Sequence, residues 1–145
     1  MKKLVTVLTL MSCLLIPTLD NASAHQVEYP SNDKKSFIDE NKFYKELPKE
    51  QYEEYKDATY SVRRKILYRE APDAIDVFEK KTGRHHGQPK QELSPSIHPN
   101  RQVYFFASFV QDKDKEYWKH IIIDAETKRP LESGNSYHNY ENPYN

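Results

Sequence analysis

Two apolar runs near the C-terminal end give the clearest pattern in this chain. Residues 102–110 (QVYFFASFV) and 116–124 (EYWKHIIID) are rich in β-branched and aromatic residues, which favours β-strands. A charged turn at 112–115 separates them, so the pattern predicts an antiparallel hairpin. Both faces of the first run are largely apolar, and we therefore expect a strand that is central or covered by a helix.

The middle of the chain has a helical period instead. Apolar and tyrosine positions recur at spacings of three and four, which predicts an amphipathic helix over about 48–68. A ladder of tyrosines that binds sugar or peptide is the alternative interpretation. Pro72 and Gly83 bracket a second, shorter helix over about 72–82. The residues on the predicted inner face of the helix over about 48–68 are Tyr52, Tyr55, Thr59, Val62 and Ile66.

The remaining segments are polar. Residues 25–46 read as a flexible lead-in, whose Phe37, Ile38, Phe43 and Tyr44 are the side chains able to dock as a short helix or strand. Residues 84–101 contain three prolines and form a long loop. After a second turn at 125–129, only a short edge segment is expected at Pro130-Leu131, and 135–145 is a polar, tyrosine-rich tail. Residues 47–134 are thus predicted as one α+β domain, with N-terminal helices packed on a small antiparallel sheet.

The first 24 residues have the order of a secretory signal peptide. Lys2 and Lys3 precede an apolar run over 4–16, and Ala22 and Ala24 form a small-residue cleavage site. The run is shorter than the roughly 20 residues of a membrane span, and no later segment is apolar enough, so we expect no span in the mature form. The pattern predicts secretion. A lipid anchor on Cys13 is the alternative, although the apolar run continues past that cysteine.

Charge and cysteine content narrow the function. The chain of 145 residues has 22 basic and 22 acidic residues, and loss of the first 24 residues leaves 20 and 21, a net charge of −1. This balance is not typical of nucleic-acid binding. Cys13 is the single cysteine, so the mature form would lack a disulfide, a thiol nucleophile and a thiolate metal ligand.

Motifs of catalysis are not found in the sequence. No G-x-S-x-G, H-E-x-x-H, Walker or G-x-G-x-x-G pattern occurs, and the chain has three glycines. We therefore expect no enzyme activity and no cofactor. A metal site would require the fold to bring His85 or His86 to His98 or His120.

Two small groups of residues are candidates for contact with a partner. Lys80, Lys81 and Arg84 form a basic patch at the end of the second helix, which is suited to an acidic segment or is simply solvated. Trp118 and His120 share a strand face and are suited to an interface or to the core. The candidate partner-binding residues are Trp118, His120, Lys80, Lys81, Arg84, His85 and His86.

The hairpin also resembles a known family. Residues 122–131 (IIDAETKRPL) follow a predicted helix and strand in the way that the last strands of a PepSY domain do, and the similarity covers about 72–131. Lys128 stands where that family usually has glycine. The resemblance implies an α+β module outside the cytoplasm with a binding or protease-modulating role, and it does not imply catalysis.

Together these features predict a secreted, non-catalytic binding protein of the bacterial cell envelope or medium. Its expected partner is a protein or an envelope component, with modulation of a protease as one form. The alternatives are a small secreted hydrolase and a metal-binding envelope protein, each using the histidines.

Overall fold

The computed structural model describes residues 27–84, 87 and 89–141, and it shows an α+β fold. Four antiparallel strands form one sheet in the order β1-β2-β3-β4, and two short helices pack on it. In the described part, no helix is long and apolar enough to cross a membrane. The elements are α1 (Glu40–Glu46), β1 (Tyr60–Leu67), a 3-10 turn (Tyr68–Glu70), α2 (Ala71–Lys81), β2 (Gln102–Asp112), β3 (Lys115–Asp124) and β4 (Pro130–Asn139).

Strand β2 is the centre of the molecule, as its two apolar faces predict. Successive side chains of a strand point to opposite faces, so β2 supplies two separate cores. Val103, Phe105 and Phe109 lie under α2, and Tyr104 and Phe106 lie under α1 and the segment that follows it. All five side chains are buried, which explains why the run is apolar throughout.

Helix α2 confirms the prediction over 72–82. Pro72 lies in its first turn, where the missing N–H costs no hydrogen bond. Phe78 is fully buried, with its ring 5.7 Å from that of Tyr60 and 6.1 Å from that of Trp118. After the helix, Gly83 has φ +73°, a backbone angle that favours glycine.

The helix predicted over 48–68 is wrong. Residues 48–59 form turns and irregular backbone, and residues 60–67 form strand β1. Val62 and Ile66 pack on the α2 face, and residues four apart share a face in a strand as well as in a helix. Pairing with β2 decided between the two periods, because β1 satisfies the backbone groups along that edge of β2.

The description of 25–46 as a flexible lead-in also needs correction, because residues 27–46 pack on the sheet. The side chain of Asp39 accepts hydrogen bonds from two backbone amides and caps α1. Phe43 is buried and stacks on Tyr104 at 3.9 Å, which confirms its predicted docking. Asn32 is buried too, and its Oδ1 accepts a hydrogen bond from the backbone N–H of Gln102 at 2.6 Å.

The C-terminal region is likewise more ordered than predicted. A short edge segment at 130–131 was expected, but β4 is 10 residues long and includes residues 135–139 of the predicted tail. The solvent exposure of its side chains mostly alternates between intermediate and high, so the sequence has no apolar pattern from which this strand could be predicted. The strand forms because β3 has a full row of backbone groups to pair, from Lys115 opposite Asn139 to Ile123 opposite Pro130.

A buried ion pair joins the N-terminal segment to the sheet. Nε and Nη2 of Arg101 donate to the two carboxylate oxygens of Asp124 at 2.7 and 2.8 Å, and Nη1 donates to the carbonyl of Pro30 at 2.8 Å. Burial acts to raise the pKa of Asp124, but hydrogen bonds from Arg101 and Thr127 outweigh it and leave that pKa lowered. The carboxylate is therefore charged in the folded protein.

Candidate functional site

The structure brings three of the predicted partner-binding residues together on the α2 face of the sheet. Trp118 and His120 point to the same side of β3, with their rings 4.7 Å apart and perpendicular. Arg84 follows α2 and places its guanidinium 5.8 Å from the centre of the Trp118 ring. Trp118 and His120 are only 8% and 7% exposed, so most of this cluster belongs to the core.

His120 is the residue of this cluster with chemistry to consider. Its Nε2 lies 3.4 Å from a carboxylate oxygen of Glu132, and its Nδ1 is buried without a hydrogen-bond partner in the described part of the chain. A Cβ on Gly134 would lie 2.7 Å from the His120 ring, so the ring lies directly on that glycine. One ring nitrogen therefore faces Glu132, and the other is buried.

The predicted basic patch is largely neutralised. Lys80 pairs with Asp76 at 2.7 Å, one turn earlier in α2. Arg84 donates to Glu116 and to the Ser136 hydroxyl, both at 2.5 Å. Lys81 is exposed, and the predicted contact residues His85 and His86 lie outside the described residues.

No metal site is visible in the residues that the structure describes, since no group of three or more His, Cys, Asp or Glu side chains is placed to hold an ion. His98 accepts a hydrogen bond through Nδ1 from the backbone N–H of Asn100. His138 packs edge-on against Tyr140 at 4.5 Å. These histidines and His120 serve separate local contacts.

The opposite face of the sheet carries a surface that the sequence did not reveal. We define the tyrosine surface as Tyr55, Tyr117, Lys119, Asn135 and Tyr137. The ring of Tyr117 lies 5.0 Å from that of Tyr137 and 6.1 Å from that of Tyr55. Tyr117 and Tyr137 are 36% and 48% exposed, which is high for large aromatic side chains and is typical of contact surfaces.

A groove adjoins this surface. It has a volume of about 290 Å³, and its lining includes Gln51 and Tyr52, Lys119 of β3, and Ser133 and Asn135 of β4. Burial lowers the pKa of the Lys119 amine. The groove therefore combines a partly desolvated amine with neutral amide and hydroxyl groups.

The two edges of the sheet differ in how they are protected. Edge strand β1 carries the consecutive cations Arg63, Arg64 and Lys65, and the Lys65 amine donates to the carbonyl of Phe37 at 2.8 Å. Charged residues on an edge discourage pairing with another chain. Strand β4 has no lysine or arginine, and within the described residues its strand partner is β3 alone. In this part of the chain, the outward edge of β4 is therefore not paired with another strand.

The sequence identified part of this site. Tyr52 and Tyr55 were recognised as a possible tyrosine ladder, although on a helix. Tyr137 was recognised as a tail tyrosine able to contact a partner, although not as part of a strand. Tyr117 and Lys119 were missed because alternation in β3 shows which residues share a face and not which face stays uncovered. The edge formed by β4 could not be identified, because the sequence predicted only a short segment at Pro130-Leu131.

Comparisons of this chain with protein-family models, with curated proteins and with solved structures found no match. The resemblance to PepSY domains therefore stays a prediction, and the argument for function rests on the geometry of the β4 edge and the tyrosine surface.

Proposed function

We propose that this chain is a non-catalytic binding protein that acts outside the cytoplasm and binds an extended segment of a protein partner along β4. The observation that carries the proposal is the edge of β4, which is 10 residues long, contains no lysine or arginine and has β3 as its strand partner within the described residues. An extended peptide can add a strand to such an edge, gaining backbone hydrogen bonds along its length.

The tyrosine surface supports the same proposal. It lies on one face of β3 and β4, directly beside the edge, so a docked strand would place alternate side chains next to Tyr137 and Asn135. Tyrosine combines a large rigid contact area with a polar hydroxyl, which suits recognition of a peptide. Backbone pairing would supply affinity, and these side chains would supply selectivity.

Two expectations from the sequence enter the proposal unchanged. Residues 1–24 predict export, and they lie outside the described residues. The PepSY resemblance names a protease as one class of partner. A protease or an envelope protein with an accessible extended segment fits the chemistry of β4 equally.

The test is a selection of peptides followed by mapping of the bound surface. Random peptides as long as β4 are displayed on phage and selected on the immobilised protein, and the best binder is synthesised. We expect it to slow hydrogen exchange of the amides of residues 130–139 more than that of any other strand. A copy with alternate amides N-methylated should lose binding, because N-methylation removes the donors of a β-ladder.

Matched variants distinguish docking at β4 from binding elsewhere. Tyr137 and Val77 are both 48% exposed, but Val77 lies on α2. Tyr137→Ser should weaken the selected peptide, and Val77→Ser should leave it unchanged. Protection confined to α2 or β1 would overturn the proposal. So would a concentration-dependent dimer in sedimentation that buries the β4 amides, because the occupant would then be a second copy.

A further inference from the structure

Lys119 is a half-buried cation held by aromatic rings. Its Nζ lies 4.1 Å from the ring centre of Tyr55 and 5.5 Å from that of Tyr52. A cation over an aromatic face is attracted by the ring quadrupole, so these rings hold the amine in the groove. Within the described residues the amine has no hydrogen bond. The position is preorganised, which reduces the entropy lost when the amine binds a ligand.

The acidic side chains that influence Lys119 already have other partners. Glu53 pairs with Lys49 at 2.8 Å, and Glu54 accepts two hydrogen bonds from Arg63, at 2.6 and 2.8 Å. Within the described residues, Lys119 forms no ion pair with a carboxylate. A partly desolvated amine without a counter-ion is the complement of an acidic group on a partner.

The position of Lys119 relative to β4 sets where that acidic group would come from. Lys119 lies directly opposite Asn135, which belongs to the open edge strand. A strand docked on β4 would lie two strand spacings from β3, about 10 Å. Lys119 lines the same groove as Ser133 and Asn135, so an acidic side chain that reaches inward over Asn135 enters the groove that contains the amine.

We propose, building on the function proposed above, that Lys119 selects a glutamate or aspartate on the docked strand, at the position that faces Asn135. The groove at Gln51 and Ser133 holds the acidic side chain, and Tyr117 and Tyr137 contact its neighbours on the same face. The chain would thus recognise a docked strand in which an acidic residue is flanked, at alternate positions, by residues that pack on tyrosine.

Parallel selections test this inference. The same peptide library is selected on the unmodified protein, on Lys119→Met and on Lys45→Met. Methionine keeps the length and apolar stem of lysine, and Lys45 is an exposed lysine on α1 that serves as the control. We expect one acidic position to be enriched on the unmodified protein and on Lys45→Met, and to be lost on Lys119→Met.

Binding constants give the second measurement. Replacing the enriched glutamate by glutamine in the synthetic peptide should weaken binding to the unmodified protein about tenfold or more, the usual effect of losing a charge-assisted hydrogen bond. The same replacement should have little effect on binding to Lys119→Met. Lys119→Arg should keep the preference for glutamate.

The outcomes separate the two proposals. Peptides that protect β4 from hydrogen exchange but show no acidic enrichment, or show it equally on Lys119→Met, would overturn the role of Lys119 and leave strand docking intact. If no selected peptide protects β4 on any of the three proteins, strand docking fails and the selection by Lys119 fails with it.

Discussion

The buried pair of Arg101 and Asp124 makes the sharpest prediction about stability. The Arg101 side chain is 4% exposed and the Asp124 side chain is 0% exposed, and two hydrogen bonds join them with the geometry of a bidentate pair. Asp124→Asn keeps the size of the side chain and removes its charge. The variant therefore leaves the buried guanidinium of Arg101 without its buried counter-ion, and the remaining carboxylate partner is the more exposed Glu126, 3.0 Å from Nη1.

The magnitude follows from that burial. Removing one partner of a buried ion pair costs about 3–5 kcal/mol when the remaining charge is left unpaired. Because Glu126 still lies 3.0 Å from Arg101 Nη1, we expect a loss at the lower end of that range. Single domains are stable by only about 5–15 kcal/mol, so this change should remove a large fraction of the total. Arg101 also donates to the carbonyl of Pro30, and the N-terminal segment should loosen when the guanidinium shifts.

Urea unfolding followed by tryptophan fluorescence measures the effect, with Lys90→Met as the control. Lys90 pairs with Asp73, but those side chains are 60% and 67% exposed, so its loss should cost less than about 1 kcal/mol. The double variant Arg101→Met/Asp124→Asn should lose less than the sum of the two single variants, because the pair acts as a unit. If Asp124→Asn costs no more than Lys90→Met, the reasoning about the buried charge is refuted.

Three further predictions concern pH, the contact between Gly134 and His120, and the hydroxyl groups of two buried tyrosines. Because the pKa of Asp124 is lowered from 3.8, its stabilising effect is complete above that pH and is lost as pH falls through the lower folded value. Below about pH 4, the free energy of unfolding measured in urea should therefore depend more on pH for the unmodified protein than for Asp124→Asn. An equal dependence on pH for the two proteins would contradict this. Gly134→Ala places a Cβ 2.7 Å from the His120 ring and should lower the free energy of unfolding by about 1–3 kcal/mol, measured by differential scanning calorimetry. The tryptophan signal in near-UV circular dichroism should change as well. An unchanged thermal transition would show that the ring moves freely. Tyr52→Phe removes a buried hydroxyl that has no hydrogen-bond partner in the described part, and it should be neutral or stabilising. Tyr104→Phe removes a 2.7 Å hydrogen bond to a backbone carbonyl and should cost about 0.5–1.5 kcal/mol of stability. Thermal unfolding shifts in the reverse order would contradict both hydrogen-bond assignments.

Some parts of this protein could be predicted from local pattern alone. The apolar runs in β2 and β3 and the charged turn between them specify a hairpin, because a strand buried on both faces must be apolar at every position. Pro72 and Gly83 bracket α2 through backbone angles that neighbouring residues do not alter. These are properties of a residue and its immediate neighbours.

Other parts depend on pairing between distant segments. Val62 and Ile66 fit a helix and a strand equally, and the exposed edge of β2 selected the strand. The polar residues of β4 form a strand because β3 has backbone groups to satisfy, which no property of β4 itself records.

The candidate site belongs to this second class. The sequence determined that Trp118 and His120 share a face, but only the tertiary structure decided that α2 covers that face and buries them. The same packing left Tyr117 and Tyr137 exposed and Lys119 half-buried on the other side. Alternation along a strand determines which residues share a face of the sheet. Which face is exposed depends on where the flanking segments pack, because burial of apolar area is summed over the whole fold.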